Sequence, residues 1–265
     1  MYKLFEGGAA IPTSQPVEQV DVPLVVATAK REMPQGLLKN LQGDIGSAGF
    51  KQVPSGDIDL MIEAGDLVEI FKTQEDKKDP VLAAKRALKT YFDAKGIEAN
   101  INGRNVSIGI KYKAKNGAGY AQVDLMVIHD AAVVAPWHQH GRRDMYKDPS
   151  FKGQQTMIII SSIAKALNLK FDAFGANLVD RNTGELKGRT MDEVAKILIA
   201  PEAKASDMYS VGTIVAALQK YNDADTVNRK LAQARDDQAK GLLTLPEQAP
   251  RPGTAAWFRN LGHQL

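Results

Sequence analysis

The sequence predicts an α+β fold, in which a mixed sheet flanked by helices is followed by a mainly helical region. Three observations lead to this prediction. Apolar and polar residues alternate near residue 60 and again in two segments joined by an Asn-Gly dipeptide, which is typical of strands and of a hairpin. Between these segments, apolar residues recur at helical spacing after Asp79. Beyond Asp130 most apolar segments have helical spacing.

The first elements follow from prolines and from alternation. Prolines interrupt the first two dozen residues, so we expect an irregular lead-in over 1–22. Pro23 is suited to the first turn of a short helix over 23–32. The segment DIDLMIEAG predicts a strand, with its isoleucines and leucine on one face and Asp57 and Asp59 on the other.

The next elements have clear signals at their ends. Asp79 is suited to cap a helix and Pro80 to its first position, and the Lys95-Gly96 pair ends the helical spacing. Two strands are predicted at about 106–112 and 120–128, and the Asn-Gly turn between them indicates a hairpin.

The remainder of the chain is predicted to be mainly helical up to residue 221. A charged helix, a proline-rich linker and an aromatic tail then occupy 222–265. In the tail, Trp257, Phe258 and Leu261 lie at helical spacing, so the tail packs on its own body or docks on a partner protein. The predicted helices cover about 154–167, 191–198, 208–219 and 224–240.

Composition excludes several kinds of protein. The 265 residues contain no cysteine, which rules out a disulfide scaffold, a cysteine-ligated zinc site and a thiol nucleophile. The formal charge of +3 is nearly balanced, so a nucleic-acid site would have to be a local patch. No apolar run approaches the roughly 18 residues of a membrane span. The first residues do not resemble a secretion signal, so we expect a soluble, cytoplasmic protein.

Three aspartates form the most informative pattern. Asp57 and Asp59 project from the same face of their predicted strand, and Asp124 lies on a later strand within VDLMV. Carboxylate ligands without cysteine suit a hard cation such as Mg²⁺, and two such ions could assist a phosphoryl displacement. Upstream, Gly46-Ser47 forms a turn whose backbone N–H groups and hydroxyl could hold phosphate oxygens.

These residues carry a resemblance. The segment GSAGFKQVPSGDIDL, followed by VDLMV, resembles the palm of the DNA polymerase beta-like nucleotidyltransferase superfamily, and most closely that of the family X polymerases. The resemblance implies a palm over 23–130 and a thumb-like region over 131–221, with a hairpin and a helix introduced by Thr190. It also implies that the three aspartates ligate two Mg²⁺ ions, with Mn²⁺ as an alternative, and that Asp124 lies nearest the attacking hydroxyl. The implied nucleotide contacts are Gly46, Ser47, Ser55 and Gly56.

The implied activity is transfer of a nucleoside monophosphate from a nucleoside triphosphate to an acceptor hydroxyl, with release of pyrophosphate. An RNA or DNA 3′ end is the preferred acceptor, and a protein hydroxyl or a small molecule remains an alternative. The compact arrangement also resembles that of a viral or mobile-element protein, which would place it in the host cytoplasm.

Departures from the family pattern support an alternative. The arginine pair that follows Gly-Ser in the polymerases is replaced by Gly49 and Phe50, and Lys51 is displaced by one position. Helix-hairpin-helix elements for gripping DNA are missing, so templated synthesis is not expected. The alternative function is therefore a nucleotidyltransferase scaffold that has lost catalysis and acts in binding or structure.

Basic residues after the third aspartate complete the predicted site. The segment WHQHGRR is predicted to be a surface loop, from which Arg142 and Arg143, together with Lys152, could neutralise a triphosphate or an acceptor backbone. Its histidines, His138 and His140, are the candidates for a separate metal site, although no third soft ligand is close in sequence.

The lysines of the hairpin have two interpretations. Lys111, Lys113 and Lys115 alternate on one face, where they could touch a polyanion or protect an edge strand from pairing. We favour protection of the edge, because alternating lysines are a common means by which an exposed strand avoids pairing with another chain.

Overall fold

A five-stranded mixed sheet with helices on both faces forms the first part of the chain, and a second, three-stranded sheet lies among the C-terminal helices. The computed structural model describes residues 10–45, 48, 54–76, 78–115, 117–147, 153–172 and 175–241, with only the backbone at 44, 140–147, 153 and 154. The strands are β1 (Gln42–Ile45), β2 (Asp57–Glu63), β3 (Ala99–Asn102), β4 (Asn105–Ala114), β5 (Gly117–Ile128), β6 (Leu169–Asp172), β7 (Asn177–Asp180) and β8 (Leu186–Gly188).

Eight α-helices are found in the described part of the chain. They are α1 (Val22–Glu32), α2 (Ala64–Ile70), α3 (Pro80–Ala94), α4 (Ala131–Lys147), α5 (Gly153–Ala166), α6 (Met191–Leu198), α7 (Val211–Tyr221) and α8 (Ala224–Ala239). Short 3₁₀ turns occur at Gln19–Asp21, Gln35–Leu38 and Ala205–Met208. The chain is therefore α+β, as the sequence predicts. No helix among the described residues is both long enough and apolar enough to cross a membrane.

The large sheet has the strand order β1-β2-β5-β4-β3. Strands β2 and β5 run parallel, whereas the other three neighbouring pairs are antiparallel. Side chains of β2 and β5 alternate between two apolar clusters, and Asp57 and Asp59 of β2 are half-buried. Ile58, Leu60 and Ile62 pack towards α1 and α3, as their alternation predicts, whereas Met61 packs in the other cluster.

The second cluster joins the large sheet to the C-terminal region. It contains Ile45 and Met61 from the sheet, Trp137 from α4, and most buried residues of α5 to α8. Apolar packing therefore continues across residue 130, at which the sequence analysis divides the chain. That division, and the interpretation of the parts as palm and thumb, stay predictions.

Several elements begin and end where the sequence predicts them. The carboxylate of Asp79 accepts the Leu82 N–H at 2.8 Å and caps α3, with Pro80 in the first position. Strands β4 and β5 form the predicted hairpin, and their pairing extends to Ala114 and Gly117. In the C-terminal region, Thr190 caps α6 in a capping box, and a hairpin precedes it, as predicted.

The WHQHGRR segment is a helix, so the prediction of a surface loop was wrong. Pro136 is tolerated because it lies in the second turn of α4, where its missing N–H costs one hydrogen bond. The burial of Val134 and Trp137 outweighs that cost, because both pack in the apolar cluster that contains the buried residues of α5 to α8. Trp137 also meets the ring of Phe171 edge-on at 6.3 Å.

One carboxylate fixes the start of two helices. Glu63 is the last residue of β2, and its two oxygens accept the N–H of Gly65 in α2 at 3.4 Å and that of Ala131 in α4 at 2.8 Å. Helix α4 also contacts β1 and β2. Glu63 thus sets where α4 begins on the face of the sheet that carries the aspartates.

We predict that Glu63→Ala destabilises the protein by about 1–2 kcal/mol, because two helix N-termini lose a side-chain acceptor. Urea unfolding measures the change. Glu69→Ala is the matched control, because Glu69 is exposed on α2 and this substitution removes the same charge. Equal stabilities of the two variants would contradict the double capping role.

Candidate functional site

The parallel pairing of β2 with β5 brings the three predicted aspartates together. In its register Asp59 lies directly beside Asp124, and Asp57 lies beside Gln122. Neighbouring strands are about 4.8 Å apart, and residues two apart on a strand are separated by about 7 Å. All three carboxylates therefore project from one face over a small area of the sheet.

Asp124 is held by two amide side chains. It is only 8% exposed, and its Oδ1 accepts a hydrogen bond of 2.8 Å from Gln122 Nε2. Asn105 Nδ2 on β4 lies 3.4 Å from the other oxygen. Gln122 is 2% exposed, and its side-chain oxygen Oε1 accepts a hydrogen bond of 2.9 Å from the backbone N–H of Ile11. The lead-in is thus connected through one glutamine to the third aspartate.

Two oxygen atoms near Asp124 are buried without a hydrogen-bond partner among the described residues. They are Asn105 Oδ1 and the hydroxyl oxygen of Ser107, which is fully buried and lies opposite Asp124 in the β4–β5 register. Buried polar atoms without partners are costly in a folded protein. Their position beside a carboxylate creates a local excess of oxygen acceptors.

The chemistry of these donors suits a hard divalent cation. Mg²⁺ and Mn²⁺ prefer carboxylate and carbonyl oxygens, which the three aspartates and Asn105 Oδ1 supply, whereas the groups bonded to Asp124 are amide N–H groups of Gln122 and Asn105. Within the ranges that the structure describes, no three Asp, Glu or His side chains are grouped closely enough to hold one metal ion. The fit to a cation therefore depends on donor chemistry and on strand register.

The predicted phosphate-binding residues lie next to these carboxylates or outside the described residues. Gly46, Ser47 and Lys51 are outside them, as is Lys152. Strand β1 ends at Ile45, which is paired with Asp59. The order of strands is thus β1, then β2 with Asp57 and Asp59, then β5 with Asp124.

Ser55 and Gly56 are buried immediately before Asp57. The backbone N–H and carbonyl of Ser55 both bond to Val17, at 2.9 and 2.7 Å, and its hydroxyl accepts from Gln19 Nε2 at 3.1 Å. In this structure Ser55 anchors the lead-in to the start of β2. Its contact with phosphate stays a prediction.

Arg142 and Arg143 belong to α4, in a part of the helix where the backbone alone is described. His138 lies on the same helix, and its ring stands edge-on to Trp137 at 4.7 Å. Of His140, the other residue of the predicted separate metal site, only the backbone is described.

Sequence reasoning missed Gln122, Asn105, Ser107 and Glu63. A signal for Gln122 exists, because it lies two residues before Asp124 and so shares its face. Counting back from an Asn116-Gly117 turn would have paired Asp124 with Gly109, because Gly117 already pairs with Ala114 in the structure. Glu63 follows Asp57 and Asp59 on the same side of β2.

Comparison with known proteins adds no relative, since no protein-family model and no curated protein matches the chain.

We predict that Gln122→Met lowers the free energy of unfolding by about 1–3 kcal/mol, because the Ile11 N–H and one Asp124 oxygen lose their partner. We also expect faster hydrogen exchange at the Ile11 amide. Gln219→Met, at an exposed position of α7, is the control and should be close to neutral. An unchanged exchange rate at Ile11 would show that Gln122 does not hold the lead-in.

Proposed function

We propose that this protein is a metal-dependent nucleotidyltransferase, which moves a nucleoside monophosphate from a nucleoside triphosphate to an acceptor hydroxyl. Pyrophosphate is the second product, and the acceptor is an RNA or DNA 3′ end. The single observation that carries the proposal is the parallel register of β2 and β5, which places Asp59 beside Asp124 with Asp57 on the same face. The resemblance to the polymerase beta-like palm supports it through the same residues.

Asp57, Asp59 and Asp124 would hold Mg²⁺ or Mn²⁺. When bound, such ions lower the pKa of the acceptor hydroxyl and stabilise negative charge on the departing pyrophosphate. The protein itself positions the two substrates and supplies the negative charge of the three carboxylates.

The proposal puts the two substrates on two sides of the aspartates. The triphosphate would lie on the β1 side, as the resemblance implies through Gly46 and Ser47, and the acceptor on the Asp124 side. The acceptor oxygen forms a bond to the α-phosphorus while the bond to the β,γ-diphosphate breaks. The hydroxyl proton passes to the Asp124 carboxylate, which Gln122 and Asn105 hold in place.

One observation favours the alternative of an inactive scaffold. Both oxygens of Asp124 already have amide neighbours, and the family's arginine pair is replaced by Gly49 and Phe50. A scaffold without catalysis would tolerate such contacts. The alternative predicts neither transfer nor metal-dependent nucleotide binding, so the same experiment decides between the two.

We expect Asp57→Asn and Asp124→Asn each to reduce nucleotide transfer by at least about 100-fold, because loss of a metal ligand removes charge stabilisation in the transition state. The measurement combines Mg²⁺, each α-labelled nucleoside triphosphate and a mixed tRNA and oligonucleotide pool, and follows label transfer and pyrophosphate release. Chelation of Mg²⁺ should abolish both.

Asp236→Asn is the matched control, since Asp236 is exposed on α8, and it should transfer at the wild-type rate. Circular dichroism and thermal unfolding establish that each variant folds. Retained transfer in a folded Asp57→Asn or Asp124→Asn protein would refute the mechanism. If the wild-type protein neither transfers label nor binds nucleotide in calorimetry with Mg²⁺, the scaffold function replaces the proposal.

A further inference from the structure

The β4–β5 hairpin carries exposed lysines on the same face of the sheet as the aspartates. In the hairpin register Ser107 lies opposite Asp124, Gly109 opposite Gln122 and Lys111 opposite Tyr120. Since every second residue shares a face, Lys111 and Lys113 continue the line that begins beside Asp124. Both lysines are exposed, and neither forms an ion pair within the part of the chain that the structure describes.

A groove lies beside these lysines. The lead-in joins the sheet next to β5, where the Gln15 N–H donates to the Tyr120 carbonyl at 2.8 Å. The space between this segment and the hairpin has a volume of about 460 Å³. Its lining residues are Thr13, Gln15, Lys111, Tyr112, Ala118, Gly119 and Tyr120.

Tyr120 is held in this groove in a fixed position. Its hydroxyl donates to Glu98 at 3.3 Å, and its ring lies over Gly109, where an added Cβ would come within 2.0 Å of the hydroxyl oxygen. Burial and the neighbouring Glu98 charge raise the pKa of Tyr120, so the hydroxyl remains a donor at neutral pH. Tyr112 lies between the two lysines in sequence but alternates to the other face, whereas strand pairing places Tyr120 beside Lys111 on the same face.

Protection of an edge strand does not account for this arrangement. Strand β3 pairs with β4 only as far as Ile108, so the Lys111 and Lys113 section does form a free edge, which exposed lysines would protect. Edge protection, however, requires neither an adjoining groove nor an anchored tyrosine. It also requires no alignment with Asp124, which lies about 14 Å along β5 from Tyr120.

We propose that the hairpin groove binds a single-stranded nucleic acid. Lys111 and Lys113 are about 7 Å apart along β4, and they neutralise consecutive phosphates of an extended strand. Tyr120 offers a stacking surface, which any base can use. Between Tyr120 and Asp124 this face is covered at Gln122, which is 2% exposed and bonded to Ile11, so the strand reaches the aspartates over the outside of the lead-in. The inference rests on the proposed function in one respect, namely that this strand is the acceptor whose 3′ end reaches the aspartates.

The experiment measures binding separately from transfer. Fluorescence anisotropy with a labelled single-stranded oligonucleotide, repeated over a range of salt concentrations, uses the full chain. We expect the Lys111→Ala/Lys113→Ala variant to bind about tenfold more weakly. The slope of the logarithm of the binding constant against the logarithm of the salt concentration should become shallower by about 0.7 per lysine. The matched control is Lys165→Ala/Lys196→Ala, which removes the same charge from exposed sites on α5 and α6 and should bind like wild type.

A second pair of variants tests the tyrosine. Tyr120→Leu should weaken binding about tenfold, because stacking is lost, whereas Tyr120→Phe keeps the ring and should bind as the wild type does. Equal losses in both lysine variants would reduce the effect to overall charge and overturn the proposal. Binding of polyglutamate that depends on Lys111 and Lys113, without oligonucleotide binding, would assign the groove to an acidic protein segment and overturn it too.

The two proposals fail in different ways. Asp57→Asn should bind the oligonucleotide as tightly as wild type, since the groove does not include Asp57. Oligonucleotide binding that depends on the lysines, without any transfer by the wild-type protein, would support the groove and refute the transferase. Transfer to an oligonucleotide that is unaffected by the lysine and tyrosine variants would support the transferase and refute the groove.

Discussion

Parallel pairing of β2 with β5 is the constraint on which the rest of the structure depends. Two parallel strands cannot be joined by a tight turn, so the chain leaves β2 through α2 and α3 and returns through β3 and β4. The pair has a further strand on either side, and its Ile58 and Leu60 face is covered by α1 and α3. A shift of register by one residue would turn Ile58 and Leu60 to the face that now carries Asp57 and Asp59. The packing of the core thereby also fixes the spacing of the carboxylates.

Local signals predicted those parts of the fold that local interactions determine. The Asp79 cap with Pro80 defines α3, and the Asn-Gly turn defines the hairpin. Helix α4 was missed because Pro136 and the polar segment after it argue against a helix when they are considered alone. Its formation depends on Glu63 at the far end of β2 and on burial of Trp137, and neither contact is visible in a local window. The pairing of β1 with β2 is likewise a tertiary feature.

The same distinction applies to the candidate site. Alternation alone puts Asp57 and Asp59 on one face, but their closeness to Asp124 depends on a pairing between segments that are distant in sequence. The amides around Asp124 and the tyrosine beside Lys111 come from cross-strand register. A sequence can show such pairs only after the partner strands and their alignment are known. Residue types thus predicted the chemistry of the site, whereas the residues that surround Asp124 could be identified only from the strand register.

The bond between Ile11 and Gln122 has a consequence for the order of folding. These residues are separated by 111 positions, and the partner strand of β2 follows only after two helices and two other strands. Contacts between distant segments form late, because the loop between them must first be closed. During synthesis, the lead-in and β2 therefore leave the ribosome well before β5 exists. The site around Asp124 is consequently completed only when the whole sheet has assembled, and a truncated chain that ends before β5 lacks both Asp124 and Gln122.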